Sequence, residues 1–182
     1  MDSQTDNGAT LEARFRAAVA EHGPALQRLA YGYEADATRR QDLVQEILVG
    51  LWRALPGFEG RSSLRTWVFR VAHNIAVSHV VRRQRDRLAR SGSLDDAAEA
   101  ALVRDAVREI EGRDALQNLA KLIRALRPAE SQLILLYLEG LEHGEISEVT
   151  GLSPENVAVK VHRIKAALNK AAVEQPGENH GS

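Results

Sequence analysis

The chain has 182 residues, of which 44% are hydrophobic, and its formal net charge at pH 7 is -1. This length suits one medium domain or two small ones with real hydrophobic cores. The chain has no cysteine, which excludes disulfides, thiolate zinc sites and thiol chemistry. The polar N-terminus, MDSQTDNGAT, lacks the segments of a signal peptide, and every apolar run is too short to cross a bilayer. We therefore expect a cytoplasmic protein with no membrane contact of its own.

The small net charge conceals a segregation of charge along the chain. Between Arg61 and Arg90 there are eight arginines and a single acidic residue, Asp86. Segment 130–155 carries six glutamates and no lysine or arginine, whereas segment 156–170 carries four basic residues and no acid. Two basic segments separated by an acidic one predict two contacts with a polyanion, with solvated arginine-rich helices as the alternative.

The first predicted helices lie upstream of the most informative segment. Residues 1–9 are expected to be disordered, and Thr10 is a suitable cap for the first helix. Gly23-Pro24 predicts a break, after which a second helix runs to about Tyr33. Together with the two helices that follow, these elements predict a small four-helix domain.

The segment from Asp42 to Arg90 is the most informative part of the chain. DLVQEILVGLWRAL has a broad apolar stripe at helical spacing, and Pro56-Gly57 ends that helix. A second helix is expected to begin near Ser62 or Ser63, either of which can cap it. Its apolar side is predicted to contain Trp67, Val68, Val71, Ala72, Ile75 and Val80. The residues predicted on or near its other side are Arg65, Arg70, His73 and Asn74. The helix leads into the basic run RRQRDRLAR, which suits a polyanion.

A connector is predicted for residues 91–114. Ser93 and Asp96 resemble a capping box in front of a polar helix at about 95–111, which has few large apolar residues. At the other end of the chain, residues 173–182 are predicted to form a disordered tail.

The segment from Pro128 to Lys170 has the pattern of a helix-turn-helix. Pro128 suits the start of a largely buried helix, and a short helix is expected at about 144–149. GLSP at 151–154 supplies a turn glycine, an apolar residue, an N-cap hydroxyl and a proline for the first helical position. The last helix is amphipathic and basic, and the start of such a recognition helix meets base edges in DNA. An ordinary helical hairpin is the alternative.

These motifs resemble those of the extracytoplasmic-function group of the sigma-70 family of bacterial RNA polymerase sigma factors. DLVQEILVGLWRAL at 42–55 is similar to the family's segment that grips the clamp helices of polymerase. Phe58 and SSLRTWVFRVAHN at 62–74, with the basic run after them, resemble the segment that opens and reads the minus-10 promoter element. GEISEVTGLSPENVAVKVHRIKAAL at 144–168 resembles the domain that reads the minus-35 element.

The resemblance implies an all-α protein of two small helical domains joined by a flexible or partly helical linker, the C-terminal domain being a helix-turn-helix. The implied ranges are 10–90 for a sigma region 2-like domain, 91–114 for the linker and 115–172 for a region 4-like domain. The implied partners are core RNA polymerase (its clamp helices and flap), promoter DNA and an anti-sigma factor. The implied function is promoter recognition, DNA melting and transcription initiation at a specific regulon, in a stress or envelope response.

The resemblance also assigns roles to individual residues. Those assigned to core polymerase are Asp42, Gln45, Glu46 and Trp52. Those assigned to the minus-10 element are Arg61, Ser62, Ser63, Arg65, Arg70, Asn74, Arg82, Arg83 and Arg85. Those assigned to the minus-35 element are Ser153, Glu155, Asn156, Ala158, Val159, Lys160, His162 and Arg163.

Physical chemistry refines some of these roles. Promoter opening needs bases that are drawn out of the stack and held in a pocket, which the loop from Phe58 to Thr66 is expected to form. Trp67 is assigned to the core, whereas Trp52 suits either the core or a polymerase anchor. Ala158 and Val159 stand where the family commonly has a basic residue and a serine. Readout of the minus-35 element is therefore expected to rely on apolar contact with thymine methyl groups or on DNA shape.

Two other non-enzymatic functions remain open. A stand-alone helix-turn-helix regulator would bind duplex DNA without polymerase, and an interaction protein would sequester a partner without supporting transcription. An enzyme is disfavoured, because the chain has no HExxH, GxSxG or phosphate-binding glycine loop, and His73 and His79 do not share a helical face. No catalytic residue, metal site or cofactor is therefore predicted.

Overall fold

The computed structural model describes residues 3–91 and 115–173, and side chains within 10–89 and 116–172. All regular secondary structure in these ranges is helical, which confirms the predicted fold class. The helices are α1 Ser3–Tyr33, α2 Ala37–Ala54, a 3-10 turn Leu55–Gly57, α3 Leu64–Ser91, α4 Ala115–Arg124, α5 Pro128–Leu138, α6 His143–Thr150 and α7 Pro154–Val173. The predicted helix at 95–111 and most of the predicted tail lie outside the described residues. None of the described helices combines the length and apolar content needed to cross a membrane.

The predicted break at Gly23-Pro24 is wrong, because α1 continues through both residues and begins at Ser3 rather than Thr10. A single buried stripe crosses Pro24 at helical spacing and comprises Ala18, His22, Leu26, Leu29 and Tyr33. Proline in a helix interior costs ~3 kcal/mol. Burial of several side chains against α2 and α3 outweighs that cost, so the first domain has three long helices instead of four.

The start of α3 is capped as predicted. The backbone N–H of Thr66 donates to the Ser63 hydroxyl oxygen at 3.0 Å, so Ser63 rather than Ser62 is the cap. At the other end of the element, α3 is continuous through the basic run to Ser91. The predicted basic segment is therefore helical.

The helix-turn-helix is formed by α6 and α7. Gly151 ends α6 in the left-handed region, with φ of 75°, which an L-residue with a side chain adopts at a cost. The backbone N–H of Asn156 donates to the Ser153 hydroxyl oxygen at 3.4 Å at the start of α7. Glu142 and Glu145 form a capping box that begins α6. The local chemistry of the turn is thus the one predicted.

The two domains pack against each other through one continuous hydrophobic cluster. α3 contacts α5 and α6, and α1 contacts α4 and α5. The approach is close: a Cβ atom built on Gly32 in α1 would lie 2.6 Å from Cδ2 of Leu135 in α5. A bidentate ion pair reinforces the contact, with Arg28 donating to the Glu139 carboxylate at 2.8 and 2.7 Å.

Candidate polymerase and nucleic-acid interfaces

An exposed stripe along α2 carries every residue assigned to polymerase. Asp42, Gln45, Glu46 and Trp52 are all exposed, whereas the buried side of the helix comprises Leu43, Val44, Ile47 and Leu51. Val49 is 45% exposed and lies in the same stripe. Val49 was not among the predicted residues, although its spacing, four after Gln45 and three before Trp52, was a usable signal. The stripe therefore combines acidic, amide and apolar groups.

Trp52 lies at the edge of the core rather than within it. Its side chain is 41% exposed. Its ring packs edge-on against Phe15 of α1, with ring centroids 5.2 Å apart and an interplanar angle of 81°. One edge is thus held by the fold while the remainder faces solvent, the arrangement of an aromatic anchor.

A cavity of about 190 Å³ lies in the loop before α3. Its lining comprises Gly57, Phe58, Glu59, Arg61, Ser62, Trp67 and Arg70. Trp67 is buried, as predicted, and its ring centroid lies 5.2 Å from that of Phe58. The loop predicted to hold an unstacked base therefore does enclose a cavity with an aromatic and a cationic lining.

Ser62 also lines this cavity and has an unpaired hydroxyl. Its hydroxyl oxygen is buried and has no hydrogen-bond partner among the described residues. An unpaired buried hydroxyl costs free energy, which a hydrogen bond to a group in the cavity would recover. Nearby, Arg61 Nε donates to the Glu59 carboxylate at 2.7 Å, so this cation is partly neutralised.

The first turn of α3 is bound to the C-terminal domain. Arg65 Nη2 donates to the backbone carbonyl oxygen of Glu139. Thr66 Oγ1 donates to a carboxylate oxygen of Glu145 at 3.1 Å. Arg65 is therefore held at the domain boundary, whereas Asn74, two turns further along α3, is exposed.

The arginines at the basic end of α3 differ in their partners among the described residues. Arg82 donates to the Glu46 carboxylate at 2.9 and 3.0 Å. Arg83 Nη1 donates to Glu34, whose carboxylate is buried. Arg85 is exposed, and the part of the chain that the structure describes includes no partner for it. The three arginines predicted to contact phosphates therefore differ, because Arg82 and Arg83 are already bonded to carboxylates and Arg85 has no such partner in the described ranges.

The prediction that His73 lies on or near the polar side of α3 is wrong. His73 is fully buried, because it shares a helical stripe with Phe69 and Ala76. Its Nδ1 lies 3.2 Å from the Tyr33 hydroxyl oxygen, within hydrogen-bonding distance. Burial lowers the pKa of His73 to about 3, so its ring is neutral at pH 7. His73 is a core residue.

The outer side of α7 brings together most of the residues assigned to the minus-35 element. Exposed residues along it include Ser153, Glu155, Asn156, Val159, Lys160, His162 and Arg163, whereas Ala158 is half-buried. The opposite side is buried and comprises Val157, Val161, Ile164 and Leu168. Hydrogen bonds from the backbone N–H and then from the Ser153 hydroxyl lower the pKa of the Glu155 carboxyl, so Glu155 is ionised at neutral pH.

Known families match both halves of the chain. The family described as Sigma-70 region 2 matches residues 18–86, and Sigma-70, region 4 matches residues 116–168. The RNA polymerase sigma-H factor of Pseudomonas aeruginosa is 32% identical over 150 residues, which cover 75% of this chain and 74% of that protein. The chain belongs to the sigma-70 family.

Further similarities agree on the group within the sigma-70 family. The extracytoplasmic-function sigma factor SigC of Mycobacterium tuberculosis is 28% identical over 164 residues, covering 89% of this chain and 83% of SigC. The resemblance to this group is thereby confirmed. The function is that of a sigma factor, which binds core RNA polymerase and directs it to promoters. A stand-alone helix-turn-helix regulator is less well supported, because region 2 is present as well as region 4.

Two solved structures share the fold. The sigma factor RpoE in complex with the anti-sigma factor NepR from Bartonella quintana has a TM-score of 0.69, with 20% identity, 90% of this chain and 99% of that chain covered. CnrH in complex with the cytosolic domain of CnrY has a TM-score of 0.63, with 23% identity and 91% of each chain covered. The predicted two-domain helical architecture of a sigma factor is confirmed.

Proposed function

We propose that the sigma factor divides its work among three surfaces. Residues 10–90 bind the clamp helices of core polymerase and the minus-10 element, and residues 115–172 bind the minus-35 element and the flap. The segment 91–114 links the two domains. The exposed stripe on α2, the cavity before α3 and the basic outer side of α7 support this division, because each presents chemistry suited to its partner.

The α2 stripe is the proposed polymerase contact. Its acidic and amide groups, Asp42, Gln45 and Glu46, suit basic and amide groups on a coiled coil, while Trp52 supplies an apolar anchor. Glu46 also accepts hydrogen bonds from Arg82. Polymerase contact through Glu46 therefore competes with an ion pair inside the sigma factor.

The cavity before α3 is the proposed site for an unstacked base of the minus-10 element. The unpaired Ser62 hydroxyl is the observation that supports this assignment most directly. A base edge can provide the hydrogen-bond partner that no described residue provides. Arg61 and Arg70 line the same cavity, Ser63 caps α3 beside it and Asn74 is exposed further along the helix. These four residues are proposed to contact the opened strand. Contact of Arg65 with this strand would compete with the hydrogen bond from its Nη2 to the Glu139 carbonyl oxygen.

The end of α3 is proposed to supply phosphate contacts that do not depend on sequence. The Arg85 guanidinium is proposed to contact a phosphate directly. Arg82 and Arg83 must first exchange their carboxylate partners for phosphates. On α7, the N-terminal residues are proposed to meet base edges in the major groove, with Lys160, His162 and Arg163 at phosphates or neighbouring bases.

The remaining parts of the proposal concern where the sigma factor acts and which protein regulates it. We place the factor in the cytoplasm, where polymerase is, and assign it no catalytic chemistry of its own. An anti-sigma factor is proposed as a further partner, in keeping with the complex of RpoE with the anti-sigma factor NepR. Its expected mode is to hold both domains.

Reconstituted transcription tests the proposed function. The full chain is mixed with core RNA polymerase and a promoter library, and initiated transcripts are sequenced. We expect transcripts that share minus-10 and minus-35 sequences. Failure of the chain to associate with core polymerase in gel filtration would contradict the proposal.

A matched pair of serine variants then tests the cavity. Ser62→Ala is expected to reduce promoter opening about three- to tenfold, the range for one lost hydrogen bond to a base. Ser78→Ala is the control, because the Ser78 hydroxyl donates to the Asn74 carbonyl of its own helix at 2.8 Å and lies away from the cavity. Opening is measured by permanganate reactivity of unpaired thymines. Equal opening by the two variants would remove Ser62 from the site.

A further inference from the structure

Val159 is an exposed apolar residue in the second turn of the recognition helix α7. It is 58% exposed, although valine is among the residues most often buried. Val157 is buried two positions earlier, and a helix turns ~100° per residue, so Val159 points ~200° away from that buried direction. Val159 therefore lies outside the hydrophobic core.

The neighbours of Val159 define what it can approach. Glu155 lies one turn before it and Arg163 one turn after it, both exposed on the same side. Lys160 is adjacent and also exposed. An apolar side chain is thus flanked by an ionised carboxylate and two cations, a surface that suits a phosphate-lined groove better than an apolar protein partner.

The chemistry of the major groove leaves one partner for such a side chain. Valine has no side-chain donor or acceptor, so it cannot form hydrogen bonds with base edges. The major-groove edge of each base pair presents donors and acceptors, and only thymine adds an apolar group, its 5-methyl. We propose that Val159 is a specificity-determining residue that packs on the 5-methyl group of one thymine in the minus-35 element. The inference rests on the proposed function of α7.

The test removes the thymine methyl without changing any hydrogen bond. Templates are made from a promoter found with the library, and each minus-35 thymine on either strand is replaced in turn by deoxyuridine. Open complexes of the holoenzyme are then measured on every template. We expect one replacement to weaken complex formation about fourfold, the factor for burying one methyl group, and Val159→Ser to remove that sensitivity.

Ala166→Ser provides the matched control. Ala166 lies seven positions after Val159, so it points in nearly the same direction but lies about two turns further from the helix start, and it is exposed. This variant is expected to keep the uridine sensitivity of the wild type. The inference is overturned if no thymine is sensitive, or if Val159→Ser keeps the full sensitivity. Absence of specific transcripts on every template would instead overturn the proposed function, and the inference with it.

Discussion

Arg65, a residue assigned to promoter DNA, donates a hydrogen bond to the backbone carbonyl oxygen of Glu139 in the other domain. Glu139 also accepts two hydrogen bonds from Arg28 through its carboxylate. One residue at the end of α5 therefore receives cations from two helices of the first domain. Contact of Arg65 Nη2 with the minus-10 element would therefore compete with a hydrogen bond that joins the two domains.

Loss of the Arg28–Glu139 ion pair is expected to loosen the domain contact. The Glu139 carboxylate is mostly buried while Arg28 is largely exposed, so the pair is worth up to about 1 kcal/mol, a factor of about five in the opening equilibrium. Arg28→Ala should thus lower energy transfer between dyes placed on the two domains. The chain has no native cysteine, so Ala37→Cys and Asn169→Cys, both exposed positions, give specific labelling.

Arg16→Ala is the control for this experiment. Arg16 pairs with Glu12 within α1, and both side chains are exposed. Its loss leaves the domain contact intact, so energy transfer should not change. If Arg28→Ala and Arg16→Ala behave alike, the ion pair does not hold the domains together.

The buried His73 predicts a loss of stability in acid. Its pKa is about 3 in the folded chain and about 6.5 in an unfolded one, so between these values the unfolded state binds the extra proton. The free energy of unfolding should therefore fall as the pH is lowered from 7 to 5, with about 2 kcal/mol of the loss due to His73. Chemical denaturation of the wild type and His73→Gln at several pH values measures this contribution. Identical pH slopes for the two proteins would refute it.

Arg83 and Arg85 should respond differently to the same substitution. Arg83→Gln leaves the buried Glu34 carboxylate without its guanidinium, so the free energy of unfolding should drop by about 1–3 kcal/mol. Arg85→Gln should leave stability within about 0.5 kcal/mol. It should instead lower the salt dependence of promoter binding by about one unit of log affinity per log salt. Denaturation curves and salt titrations of the holoenzyme–promoter complex distinguish the two. If Arg85→Gln lowered the free energy of unfolding and Arg83→Gln changed only the salt dependence, the assigned contacts would be wrong.

Val49 offers a test of the polymerase stripe with a matched control. Val49→Asp places a charge in the middle of the proposed contact and should weaken binding to core polymerase at least tenfold. Val81→Asp makes the same change at an exposed valine on α3, outside the stripe, and should leave core binding unchanged. Binding is measured by titrating labelled sigma factor with core enzyme. Equal effects of the two variants would argue against the stripe as the contact.

The parts of this protein that could be predicted from sequence are those determined by local chemistry. Ser63 and Ser153 cap their helices, and Gly151 ends α6. The exposed side of α2 follows from helical spacing alone. Where sequence reasoning failed, distant packing was responsible: Pro24 is carried through α1 by a stripe buried against other helices, and His73 is drawn into the core.

By itself, the sequence determined the helical class, the helix-turn-helix, the sigma-70 resemblance and the set of candidate contacts, because these depend on residue type and spacing within a few turns. Only the tertiary structure decided which of the arginines already have partners. The acceptors for Arg65, Arg82 and Arg83 lie 74, 36 and 49 residues away, in Glu139, Glu46 and Glu34. No periodicity in the chain encodes such pairs, since they arise only when separate helices come into contact.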